Sequence, residues 1–117
     1  MSEEELEFEI NKNTWSIELV DKEFLLNLYK EIYGEEALFA YGVCMPPRLK
    51  IYINKDMEKQ QQIKTLKHEL THCYIWNYGL YNVPQFNEEM CCDLVSSIND
   101  FINEVVQKFK DNDKRGN

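Results

Sequence analysis

The chain contains no C-x-x-C, no basic stripe, no long apolar run and no histidine outside a single five-residue stretch. Each absence narrows the field. The four cysteines, Cys44, Cys73, Cys91 and Cys92, lack the paired spacing of a thiol-based metal or redox site, so they read as small buried hydrophobes in a reducing compartment. Met1 is followed by Ser-Glu-Glu-Glu, with neither a basic segment nor an apolar stretch. No signal peptide or membrane span is therefore expected, and the cytoplasm is the expected location. Acidic side chains outnumber basic ones 21 to 13, a formal net charge of -8, and the only dense basic run is the tail from Lys108 to Arg115. Such a surface repels phosphate, which argues against direct nucleic-acid binding.

No repeat, low-complexity segment or linker divides the 117 residues. One domain is expected over residues 1–110, with 111–117 as a flexible tail. A domain of this size buries roughly two thirds of its extended-chain surface, so it can build a core without disulfide or metal staples.

What is present alternates with the period of strands and then of helices. Leu6, Phe8 and Ile10, then Trp15, Ile17 and Leu19, flank a turn at Asn11-Lys12-Asn13 and predict two antiparallel strands. Asp21 is placed to cap a helix carrying Phe24, Leu25, Leu28 and Ile32, with Gly34 at its end. Tyr41 to Pro47 reads as a loop, because adjacent prolines disfavour both helix and interior strand. Leu49, Ile51 and Ile53 predict a third strand, and Asp56 a cap for the helix that follows. A long final helix is expected to run from after Pro84 to about Phe109, with an apolar stripe of Leu94, Ile98, Phe101, Ile102, Val105 and Phe109. The fold class is α+β, with a short three-stranded or larger mixed sheet packed against three helices.

The middle helix carries both histidines, in His68-Glu69-Leu70-Thr71-His72, an H-E-x-x-H pattern. Four residues advance a helix by about 400° and about 6 Å, so the two imidazoles share one face and can reach one ion, while Glu69 leaves that face by about 100°. Ile63, Leu66, Leu70, Cys73 and Asn77 take the opposite side. Catalytic zinc usually has three protein ligands and one exchangeable water. With no third histidine, carboxylate is the supply: Glu89 at the start of the next helix as ligand, and Asp93 one turn on as acceptor for the distal N–H of His68. Glu88 competes for the ligand position. A plain alternative also stands, in which Asn87, Glu88, Glu89 and Asp93 form only a capped, acidic helix start.

These residues resemble the zinc-peptidase domain of the ImmA/IrrE family over about residues 41 to 106. The resemblance is carried by the strand Leu49 to Ile53, by K-H-E-L-T-H from Lys67 to His72, and by F-N-E-E-M-C-C-D from Phe86 to Asp93. Its E-x-x-x-D element is shared by the wider gluzincin group. The resemblance implies a small zincin-like domain and an intracellular metallopeptidase acting on a protein, such as a DNA-binding repressor of a mobile element or stress response. It makes His68, His72 and Glu89 the ligands of Zn2+, and Glu69 the base. Met90-Cys91 stands where relatives often carry Ala-Asn.

The expected chemistry is peptide hydrolysis, with zinc polarising a water and the substrate carbonyl while Glu69 relays the proton. Tyr78 and Tyr81 are candidate oxyanion stabilisers, each weighed against simple packing. The strand Leu49, Lys50, Ile51, Tyr52 and Ile53 is a candidate edge for binding an extended substrate. Two other classes stay open: a metal-binding interaction module with little turnover, and a non-peptide metallohydrolase. The apolar patterns specify no oligomeric state.

Overall fold

The computed structural model describes residues 5–80 and 88–112, with the side chains of residues 88–93 outside the description. The chain opens with a hairpin of β1 (Glu5–Ile10) and β2 (Asn13–Val20), paired antiparallel with Phe8 opposite Trp15 and Leu6 opposite Ile17. The turn is two residues, Asn11 and Lys12, both at positive φ (48° and 66°). Two left-handed residues form the turn whose twist matches a two-residue hairpin, and asparagine tolerates that conformation well.

Helix α1 (Lys22–Tyr33) starts where the sequence places it. The Phe24 N–H donates to Asp21 Oδ1 at 2.8 Å, and at the other end Gly34, at φ 72°, donates to the Lys30 carbonyl. Only Leu25 and Leu28 of its expected apolar set are buried; Phe24 and Ile32 are exposed.

The region expected to be a loop contains a strand, β3 (Gly42–Met45), followed by a 3-10 turn at Pro46–Arg48 and then β4 (Lys50–Asn54). The prolines shape the turn rather than break the strand: Pro46 opens it, and Leu49 closes it at φ 54°. The sheet order is β1-β2-β4-β3, with β2 and β4 parallel and β4 and β3 antiparallel.

Helix α2 (Lys59–Asn77) and helix α3 (Glu88–Asn112) lie on one face of the sheet, and α1 on the other. The larger core joins Trp15, Ile17, Ile51 and Ile53 to Leu66, Leu70 and Cys73 of α2 and to Ile102 and Val105 of α3. Burying each such leucine or isoleucine contributes about 1.5–3 kcal/mol. The smaller core packs Leu25 and Leu28 on Val43 and Tyr52. Helix α2 is capped at Glu58 without a side-chain bond, and Asp56 instead gives its N–H to Asn54 Oδ1. Helix α3 continues to Asn112, taking in the first two residues of the expected tail.

The expected zincin-like domain is corrected to this description: among the described residues, a mixed four-stranded sheet with three α-helices, and no group of three or more metal-ligating side chains. No described helix is long and apolar enough to cross a membrane.

Candidate functional site

Two features bring α2 against β3. Gly42 lacks the Cβ that would stand 2.7 Å from Thr65 Cγ2 and 2.9 Å from the Tyr52 carbonyl oxygen, so the helix approaches the strand closely at that point. One helical turn further on, Glu69 is buried near Cys44, whose backbone N–H favours the charged form of the carboxylate.

The phase of the ladder explains why that N–H is available. The Asn54 N–H donates to the Tyr41 carbonyl at 2.9 Å, and the register then pairs Val43 with Tyr52 and Met45 with Lys50. Antiparallel ladders alternate bonded and non-bonded pairs, so Gly42 and Cys44 direct their backbone groups away from β4. Among the described strands β3 is an edge, and its outward groups line a cleft.

That cleft has a volume of about 470 Å³, between Tyr29 and Tyr33 of α1, the β3 edge, and His68, Glu69, His72, Ile75 and Trp76 of α2. A second hollow, of about 560 Å³, shares Tyr29, Gly42, His68 and Glu69 with it and extends to Phe39, Tyr41, Gln61 and Lys64. The shared lining makes them two ends of one groove along β3. Large apolar rings stand open on it: Tyr33, Phe39, Tyr41 and Trp76 are exposed by 42–61%. Tyr29 and Tyr33 stack at 4.6 Å between ring centres, as residues four apart on a helix can.

Within the groove the His68 and His72 rings meet edge to face, with their Nε2 atoms 3.2 Å apart. Burial holds the His72 imidazole below its ordinary pKa, reinforced by His68. Burial raises the Glu69 pKa above the usual carboxylate range, while His68 and the Cys44 N–H pull the other way. Burial, helped by Glu69, pushes the Cys44 thiol up to about 12, and burial also raises Cys73. Both thiols are free, and neither carries the thiolate character of a reactive cysteine.

Among the described residues no group of three or more His, Cys, Asp or Glu side chains gathers where a metal ion could be held. The two imidazoles converge, but the carboxylate between them in sequence is turned to the Cys44 N–H. The expectations that rest on a metal are corrected on this ground: Zn2+ as cofactor, the zinc-dependent endopeptidase, the ImmA/IrrE-type and gluzincin assignments, and the two metal-based alternatives. Glu89, Glu88 and Asp93, expected as ligand, competitor and outer acceptor, lie on α3 with side chains outside the described residues, and Tyr81 lies outside them altogether. Tyr78 follows the last turn of α2, its ring stacked on Tyr74 at 4.7 Å, and it is not among the residues lining either hollow.

The candidate substrate edge, Leu49 to Ile53, is corrected as well. β4 pairs with β2 on one side and β3 on the other, so its backbone has no free edge. The free edge belongs to β3, which sequence reading missed together with Tyr29, Tyr33 and Trp76. The tyrosines' spacing of four, on a helix whose leucines are buried, was the one available signal.

No family model matches this chain, and no curated protein or solved structure matches it either.

Proposed function

We propose that this chain is a peptide-binding module that takes an extended segment of another protein along the edge of β3. The observation that carries the reading is the outward-facing backbone of Gly42 and Cys44 at the base of a groove walled by exposed aromatic rings. An added strand gains affinity from main-chain hydrogen bonds, and specificity from alternate side chains that enter pockets. Gly42 offers both a donor and an acceptor, and Cys44 an acceptor. The Cys44 N–H lies on the side of the Glu69 carboxylate.

The partner is a protein, and a repressor-type regulator suits such a module as well as any other protein with an exposed extended segment. A surface charge of -8 disfavours direct contact with nucleic acid. Two free cysteines, half-buried Cys44 and buried Cys73, suit the reducing cytoplasm. The reading assigns no reaction.

The test uses the full chain, immobilised, to select from random nine-residue peptides displayed on phage. The tightest peptide is then resynthesised with one backbone N-methyl group at each position in turn. A strand bonded along one edge uses every second N–H, so affinity should fall about two- to tenfold at alternate positions and hold at those between. A flat scan, or no peptide retained, would sink the proposal. Turnover of the peptide that is lost in Glu69→Gln would overturn a binding-only role.

A further inference from the structure

The two ends of the groove differ in chemistry, and the difference specifies what the bound segment must carry. Toward Pro46 the walls are Tyr33, Ile75 and Trp76, an apolar and aromatic seat. Toward Gly42 they include Gln61 and Lys64, beside Phe39 and Tyr41. Lys64 is exposed and takes part in no ion pair among the described residues, whereas Lys30 pairs with Glu36 and Lys50 with Glu5 and Glu18. The one carboxylate in the described lining, Glu69, is buried. In a protein of net charge -8, the group this end of the groove turns toward solvent is therefore an ammonium.

We infer that the groove selects an extended segment bearing an apolar side chain at the Trp76 end and a carboxylate at the Lys64 end. This rests on strand addition at β3. The carboxylate can come from an aspartate or glutamate within the segment or from the C-terminus of a chain, because Lys64 recognises the charge common to both. Side chains two residues apart face the same way along a strand, at about 3.3 Å per residue. Lys64 and Trp76 lie about 18 Å apart along α2, and the seats flank β3 at Gly42 and Pro46, so the two determinants stand four or six positions apart. Lys64, as an exposed cation, adds selectivity and encounter rate more than raw affinity, and its effect weakens with salt.

The probes are dye-labelled nonapeptides of serine and threonine carrying one leucine and, four or six positions away in either order, Glu, Gln or Lys, with capped ends. One further peptide ends in a free carboxylate at the same position. Anisotropy titrations at low salt should give the Glu peptide about three- to fivefold tighter binding than its Gln counterpart, with Lys weakest, as expected for an exposed pair. Lys64→Glu should reverse that order. Tighter binding of the free-carboxylate peptide than of the internal Glu peptide would identify a chain terminus as the source, and the converse an internal acidic residue.

Equal binding of the Glu and Gln peptides, or an unchanged order in Lys64→Glu, overturns the inference. If the Gln peptide still shows alternate-position loss on N-methylation, strand addition stands without it. Failure of every peptide to bind, together with a flat scan of the phage-selected peptide, overturns both.

Discussion

A methyl group added at Gly42 should destabilise the fold although the position lies on an edge strand. The new Cβ of Gly42→Ala would meet Thr65 Cγ2 at 2.7 Å, the Tyr52 carbonyl oxygen at 2.9 Å and Ile53 Cδ1 at 3.1 Å. The isoleucine methyl ends a flexible side chain and can give way. The carbonyl belongs to the β3–β4 ladder and cannot, and the threonine methyl retreats only if α2 moves off the sheet. Overpacking of this kind costs about 1–3 kcal/mol, and replacing glycine within a strand returns about 0.5–1 kcal/mol. The expected net loss is about 1–2 kcal/mol, a fall in melting temperature of roughly 4–8 °C for a domain of this size.

Urea denaturation followed by circular dichroism would measure it, with an unchanged slope showing that the unfolded state is unaltered. Thr65→Ser removes the clashing methyl while keeping the hydroxyl that accepts from Gln61 Nε2. The double variant should therefore recover about 1 kcal/mol relative to the sum of the single changes. A neutral Gly42→Ala, or strict additivity with Thr65→Ser, would refute the claim that close approach of α2 to β3 holds the groove's base in place.

Glu69→Gln should raise the melting temperature at pH 7. Burial lifts the folded pKa of Glu69, so its protonated form favours the fold; that stability is fully present below the unfolded pKa and is lost as pH rises through the folded one. Melts of both proteins from pH 4 to 8 should show the gap closing toward the acid end, and a constant gap would exclude this cause. Asp21→Ala removes the acceptor for the Phe24 N–H and should cost about 1 kcal/mol by chemical denaturation. With burial holding the Cys44 thiol at about 12, alkylation at pH 8 read by peptide mass mapping should leave Cys44 and Cys73 unmodified in the native protein and modified in urea.

The elements legible in the sequence are those set by local pattern. Phe8, Ile10, Trp15 and Ile17 alternate because one face of their hairpin is buried, and Asp21 and Gly34 mark α1 through backbone preferences that need no distant partner. β3 was hidden because Gly-Val-Cys-Met before two prolines has almost no strand signal of its own; it is held by β4, and its glycine answers to Thr65 on another element. The parallel pairing of β2 with β4 was equally invisible, since nothing local records which of two apolar strands lies beside a third. At the site, helical geometry correctly set His68 and His72 side by side, but it could not foresee that Glu69 would turn to a strand edge absent from the reading.

The insertion of β4 between β2 and β3 has a consequence for how the chain is made. During synthesis the β1–β2 hairpin can form as soon as Val20 has emerged, yet the partner of its inner edge ends at Asn54, 34 residues later (54 minus 20). At roughly 5–20 residues per second the ribosome leaves the second edge of β2, which carries Ile17 and Leu19, without its partner for about 2–7 seconds. That interval is long against hairpin formation, which takes microseconds. Nascent chains stalled after α1 should therefore crosslink to ribosome-bound chaperones through β2, and chains stalled far enough downstream to expose β4 should not; equal crosslinking at both lengths would show that the hairpin waits unformed. The strand that seals the sheet in the finished protein is thus the one whose late arrival leaves the newborn chain most open to the wrong neighbour.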